Sequence, residues 1–131
     1  MKAISHRVDG KLRQTVSVRA HELTADEPKD HGGEDAGPSP QELLAASLAS
    51  CTAITIEMYA KRKGWDLGEI SVDVEYEPAQ RGSPTRFTML VELPKEMPED
   101  QRERLMQIAA KCPVHRTLES EVMFDERVEL V

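Results

Sequence analysis

The sequence has few of the residues that give a small protein strong cross-links or a large core. Its 131 residues include two cysteines, one tryptophan, two tyrosines and two phenylalanines. Two cysteines are too few for a framework of structural disulfides. Apolar residues make up 39% of the chain and charged residues 31%, which is typical of a globular protein. Because large side chains are few, we expect a homo-oligomer, in which a second subunit adds buried surface.

The sequence also has no stretch typical of a signal peptide or of a membrane-spanning helix. The first ten residues lack the apolar stretch of a signal peptide. The longest apolar run, residues 43–56, is interrupted by four hydroxyl side chains, so we expect no membrane span. The sequence therefore predicts a cytoplasmic protein with free thiols and no membrane partner.

Positive charge is in the minority. The chain has 24 acidic and 17 basic residues, for a net charge of −7. Proteins that bind nucleic acid need clustered lysine and arginine to contact phosphates. We therefore expect no nucleic-acid partner.

Hydrophobic periodicity predicts an α+β fold, with residues 1–131 forming a single domain. Asp9-Gly10 is typical of a two-residue hairpin turn, and clean alternation predicts a second hairpin around residues 82–84. The predicted elements are strands at 3–7, 11–19 and 21–25, a helix at 40–63, strands at 70–76 and 87–93, helices at 98–112 and 115–119, and a last strand at 122–130. This order favours antiparallel sheet with helices on one face.

The long helix has the clearest boundaries in the sequence. Ser39 suits the N-cap, Pro40 the first helical position, and Glu42 completes a capping box with Ser39. The basic residues 61–63 complement the helix dipole, and Gly64 suits the position after the helix. The first half is apolar around most of its circumference, so we expect other structure to enclose it.

Each cysteine has two interpretations. Cys51 lies about three turns inside the long helix, where it is either a small core residue or a reactive thiol. The helix dipole acts only near the first turn, so a reactive Cys51 needs a cation from elsewhere. Cys112 ends the inner stripe of the second predicted helix, directly before Pro113. Cys112 and His115 have the spacing of half a zinc site, but no second ligand pair completes it, so we expect no metal and no cofactor.

Two segments carry a resemblance to a known family. Residues 37–52 closely resemble the cysteine helix of the OsmC/Ohr family (osmotically inducible protein C and organic hydroperoxide resistance proteins). Residues 111–118 resemble that family's second-cysteine motif. The Gly-Trp-Asp at 64–66 and the loop at 26–33 fit as well. The resemblance covers nearly the whole chain.

The resemblance implies a fold, an assembly and a reaction. The fold is OsmC-like, with antiparallel sheets and a long central helix bearing the cysteine, in an intertwined homodimer with active sites at the subunit interface. Cys51 resembles the peroxidatic cysteine, whose thiolate reduces an organic hydroperoxide and becomes a sulfenic acid. Cys112 resembles the resolving cysteine, and an external thiol reductant reopens their disulfide. Arg7 is the best match to the family's activating arginine, and Arg13 is the second.

One position departs from the Ohr pattern. Ohr-type members have a glutamate directly after the proline that starts the helix, where this chain has Gln41. The pattern suits the OsmC-like branch better than Ohr itself. Two alternatives to a peroxidase stay open: a non-catalytic OsmC-like dimer that binds a small apolar ligand at the subunit interface, and a structural dimer in which Cys51 is only buried.

Overall fold

The computed structural model describes residues 1–131 and has two small antiparallel sheets, one long helix and two shorter ones, which confirms the α+β class. The elements are β1 (Ile4–Arg7), β2 (Gln14–Val18), β3 (His21–Ala25), a 3-10 turn (Lys29–His31), α1 (Pro40–Lys63), β4 (Ser71–Glu77), β5 (Arg86–Glu92), α2 (Glu99–Ala109) and α3 (Pro113–Glu119). The chain divides into two compact units, residues 1–46 with 75–88 and residues 47–74 with 89–131. The assignment of residues 1–131 to a single domain stays a prediction.

The first sheet contains β1, β2 and β3 in that order, and all three strands are antiparallel. Arg7 pairs with Gln14, so six residues connect β1 to β2 and the predicted two-residue turn is wrong. The Asp9 carboxylate accepts a hydrogen bond from the Lys11 N–H (3.0 Å) and forms an ion pair with Arg13 (2.9 Å). These local contacts stabilise a wider loop than the turn that Asp-Gly favours.

The loop between β3 and α1 is organised around a buried carboxylate. Asp26 accepts hydrogen bonds from the backbone N–H groups of Glu27 (2.8 Å), Glu34 (3.1 Å) and Ala36 (3.1 Å). These hydrogen bonds lower the pKa of Asp26 below its usual value, and the bond from Ala36 has the largest effect. The stability that Asp26 contributes is therefore present above its unfolded-state pKa and is lost as the pH falls through its lower folded-state pKa.

Helix α1 begins and ends where the sequence predicts. The Ser39 N–H donates to the Glu42 carboxylate (2.9 Å), and the Glu42 N–H donates to the Ser39 hydroxyl (3.2 Å), which confirms the capping box. Gly64 follows the helix with a φ of 72°, a left-handed conformation that glycine adopts at low cost.

Within one chain, the rest of the structure covers α1 only in part. Leu48, Thr52 and Ile56 are buried, whereas 55% of Ile54 and 63% of Met58 are exposed. By length and composition alone α1 could cross a membrane, a property that it shares with the core helices of soluble proteins. The absence of a membrane partner stays a prediction.

The second predicted hairpin is confirmed. Strands β4 and β5 form a two-stranded sheet, and their bounds differ by one residue from those predicted. The rings of Tyr76 and Phe87 stack with centroids 4.8 Å apart, and Gly82 has a φ of 81° in the connecting loop.

Residues of α1 and α2 form the core of the second unit. Ile56 and Leu105 have no exposed surface, and Ala60, Leu67 and Ala109 are buried with them. The partly buried side chains around this cluster are Trp65, Ile70, Val91, Leu93, Met97 and Ile108. The core thereby connects α1, which carries Cys51, to α2, which precedes the segment that carries Cys112.

The last predicted strand, 122–130, is wrong. Residues 121–131 have no regular secondary structure, and Val122, Phe124, Val128 and Leu130 are exposed. Alternating apolar residues form a strand only when a neighbouring strand supplies hydrogen bonds, and no strand of this chain pairs with the segment.

Candidate active site

The fold brings the two cysteines together. Cys51 is half-buried on α1, and Cys112 has no exposed surface. The two thiols are free, and Cys112 lies close enough to Cys51 to raise the pKa of that thiol. The Thr52 hydroxyl lies 3.7 Å from the Cys112 sulfur, a second contact between α1 and this cysteine.

Cys112 occupies a different position from the one predicted. Helix α2 ends at Ala109, and Cys112 is the N-cap of α3 with an extended backbone. Its sulfur accepts a hydrogen bond from the His115 N–H (3.3 Å). The prediction that Cys112 ends the second helix is wrong, because Pro113 has no N–H for a continuing helix and instead suits the first position of a new one.

The pKa of the Cys51 thiol is raised above its usual value. Burial is the largest cause, and the neighbouring Cys112 adds to it. The backbone N–H of Val114 and the side chain of Thr55 act in the opposite direction by hydrogen bonding to Cys51. No arginine of this unit is among the groups that shift the pKa. The protonated thiol is therefore favoured in this environment.

The backbone N–H of His115 contacts Cys112, but the His115 ring is not among the groups that shift the pKa of Cys51. Its Nδ1 is 3.2 Å from the Glu119 carboxylate, but the two groups are not aligned as a hydrogen bond, and Nδ1 is buried without another partner. Nowhere in the chain do three or more histidine, cysteine or acidic side chains cluster as metal ligands would.

The two candidate arginines have different surroundings in the first unit. Arg13 is paired with Asp9 in the loop between β1 and β2. Arg7 is exposed at the end of β1 and forms no ion pair with a carboxylate. Its guanidinium is therefore available for another anionic group. Gln41 is exposed, and Glu42 is engaged in the capping box.

Two of the groups that contact the thiols could not be identified from the sequence. Thr52 adjoins Cys51, but nothing in its spacing indicates that its hydroxyl lies beside a cysteine sixty residues away. The contribution of Val114 comes from its backbone N–H, which is independent of residue type. Thr55, one turn after Cys51, was identifiable because residues four apart share a helix face.

Comparisons with known proteins give one consistent result. The family model described as OsmC-like protein matches residues 32–127. An OsmC-like protein from Mycoplasma pneumoniae is 19% identical, with a TM-score of 0.75 over 90% of this chain and 86% of that one. An organic hydroperoxide resistance protein OsmC from Legionella pneumophila is 22% identical, with a TM-score of 0.59 over 89% and 87%. The organic hydroperoxide resistance protein OhrB of Bacillus subtilis is 20% identical, with a TM-score of 0.59 over 88% and 87%.

At these identities the structural matches show a shared fold. No curated protein sequence matches the chain. The OsmC-like fold predicted from the two cysteine segments is thereby confirmed.

Proposed function

Because the chain belongs to the OsmC-like protein family, we propose that it is a thiol-dependent peroxidase that reduces organic hydroperoxides in oxidative-stress defence. Proteins of similar fold from Legionella pneumophila and Bacillus subtilis are named for organic hydroperoxide resistance. The observation that carries the proposal is the proximity of the two free thiols, since Cys112 lies near enough to raise the pKa of Cys51. A disulfide between them requires the sulfur atoms to approach to about 2.05 Å, and both cysteines belong to the same compact unit.

The proposed cycle has three steps. The Cys51 thiolate attacks the hydroperoxide, the O–O bond breaks, and an S–O bond forms, so that Cys51 becomes a sulfenic acid and the departing alkoxide takes a proton to become an alcohol. The Cys112 thiolate attacks the sulfenic sulfur, the S–O bond breaks as the disulfide forms, and the departing hydroxide takes a proton to become water. An external thiol reductant then reduces the disulfide and is itself oxidised to a disulfide.

Burial supports this division of roles. The attacking sulfur must meet a substrate that arrives from solution, and Cys51 is the less buried member of the pair. Cys112 is fully buried, but a resolving thiol needs to reach only the sulfur of its partner. The proposed reductant is a small cytoplasmic thiol, because a reducing compartment returns both cysteines to the thiol form.

A thiol count after a single oxidation tests the cycle. The reduced protein is mixed with one equivalent of cumene hydroperoxide and its free thiols and intact mass are measured. We expect both thiols to disappear, the mass to fall by two hydrogen atoms, and peptide mapping to join Cys51 to Cys112. Full retention of both thiols would contradict the proposal, and so would a disulfide formed only between chains.

We further propose that Arg7 activates Cys51. The thiolate is the reactive form, and burial raises the pKa of Cys51, so the oxidation rate should rise with pH through that pKa. A guanidinium favours the thiolate, and Arg7→Gln should therefore move the rate profile to higher pH. Stopped-flow oxidation across a pH series measures the shift. Arg13→Gln is the matched control, and an equal shift in both variants would contradict the assignment.

Two properties of α1 bear on the assembly and on a second candidate function. The exposed Ile54 and Met58 supply an apolar face that supports the proposed homodimer. The raised pKa of Cys51 disfavours the thiolate, so the alternative of a non-catalytic dimer that binds a small apolar ligand at the subunit interface is tested alongside the peroxidase. Retention of both thiols in the experiment above, together with unchanged peroxide, would select that alternative.

A further inference from the structure

Three cationic side chains surround the ring of Tyr59, near the end of α1. The guanidinium carbons of Arg62 and Arg104 lie 5.6 and 5.5 Å from the ring centroid, and the Lys63 ammonium lies 5.6 Å from it. Because each group lies within 5.6 Å of the same point, any two of the three charges are at most 11.2 Å apart. In a chain of net charge −7, this is a local concentration of positive charge.

The cluster has no acidic side chain as a partner within the chain. None of the three forms an ion pair with a carboxylate. Arg104 donates to the Tyr59 hydroxyl (2.9 Å) and to the Gln107 side-chain oxygen (3.0 Å), which are both neutral acceptors. A bound anion would therefore be attracted by all three cations without displacing a carboxylate of the protein.

The dipole of α1 does not account for the whole cluster. Arg62 and Lys63 lie in the last turn of α1, where basic residues are common because they complement the dipole. Arg104 belongs to α2 and is held at this position by its hydrogen bond to Tyr59. The third cation thus joins the other two through tertiary structure.

We propose that Arg62, Lys63 and Arg104 form a binding site for a phosphate group, either free phosphate or the phosphate of a small monoester. Guanidinium groups match pairs of phosphate oxygens, and a dianion is held best by more than one cation. Arg62 lies eleven residues after Cys51 on the same helix, roughly 16 Å away along its axis. The site is therefore separate from the cysteines and independent of the proposed peroxidase activity.

Trp65 provides a local probe for this site. It is the single tryptophan of the chain, and its ring centroid is 5.8 Å from that of Tyr59. The fluorescence of Trp65 is followed while sodium phosphate, or separately glycerol phosphate, replaces sodium chloride at constant ionic strength. We expect a saturable change. Equal affinity for both ligands would indicate recognition of the phosphate group alone, and tighter binding of the monoester would identify an organic phosphate as the ligand.

Variants separate the site from a general effect of charge. Lys63→Gln and Arg104→Gln should each weaken binding about tenfold, the effect of losing one charge-assisted contact. Lys95→Gln removes the same charge from an exposed lysine outside the cluster and should leave the affinity unchanged. Lys63→Gln is the decisive variant, because Lys63 is exposed and its loss removes no hydrogen bond within the protein.

A second measurement uses Tyr59 itself. The Arg104 hydrogen bond, and then the charges of Arg104, Lys63 and Arg62, lower the pKa of Tyr59. A bound phosphate should raise that pKa toward its usual value, which tyrosinate absorbance measures in a Tyr76→Phe background. An unsaturable response, an equal response to chloride, or equal affinities of the Lys63→Gln and unsubstituted proteins would overturn the proposal.

Discussion

Cys51→Ser should reduce the consumption of cumene hydroperoxide in the presence of dithiothreitol to the rate seen without protein. The serine hydroxyl is nearly the same size as the thiol, so it keeps the packing at this half-buried position. It has no nucleophilic anion near neutral pH, and therefore it cannot attack the O–O bond. Loss of peroxide measured over time checks the result.

Cys112→Ser should behave differently. Its first oxidation should proceed, because Cys51 is intact, and the sulfenic acid should persist long enough to be trapped by dimedone and detected by mass. Dithiothreitol can reduce that sulfenic acid directly, so turnover should fall without disappearing. The serine oxygen can accept the His115 N–H in place of the sulfur, which preserves the cap of α3.

A matched control distinguishes loss of chemistry from damage to α1. Ala49→Ser adds a hydroxyl at a half-buried position on the same helix and leaves both thiols in place. It should retain the activity of the unsubstituted protein. Near-zero consumption by all four proteins would remove the peroxidase proposal, and full activity in Cys51→Ser would remove Cys51 as the nucleophile.

Local signals predicted α1 well because the groups that define its ends are neighbours in sequence. The capping box needs only Ser39 and Glu42, and the left-handed residue after the helix is a glycine. The β4–β5 hairpin was predictable for a similar reason, since both strands alternate and the eight residues between them include the turn-forming Gly82-Ser83-Pro84. The α+β class follows from the order of such locally defined elements.

The errors arose where a distant group or a competing local contact decides the structure. Asp9-Gly10 favours a tight turn, but the Asp9 carboxylate pairs with Arg13 and widens the loop. The alternating segment at 122–130 has no strand to pair with. The proximity of Cys51 and Cys112, by contrast, was predicted, but only through the family resemblance, because it depends on packing between α1 and the segment after α2 that no spacing in the sequence specifies.

Leu105→Ala should lower the free energy of unfolding by about 2–5 kcal/mol. Leu105 has no exposed surface and packs in the cluster that includes Ile56 of α1 and Ala109 of α2. Removing its branched end leaves a cavity that the surrounding side chains fill only in part. Small proteins are stable by about 5–15 kcal/mol in total, so the loss should be visible as a large fall in the urea midpoint. The partly buried Trp65 packs against the same cluster and supplies the fluorescence signal.

Met106→Ala is the control for Leu105→Ala on the same helix. Met106 is 45% exposed, and its truncation should cost less than about 1 kcal/mol. Both substitutions place alanine in α2, so the gain in helix propensity is similar. The difference between their losses of unfolding free energy therefore reports the burial of the replaced side chain. Equal losses in the two variants would contradict the placement of Leu105 in the core. A large loss for Leu105 alone would support its place in the core that α1 and α2 share, and the chain segment that carries Cys112 follows shortly after α2.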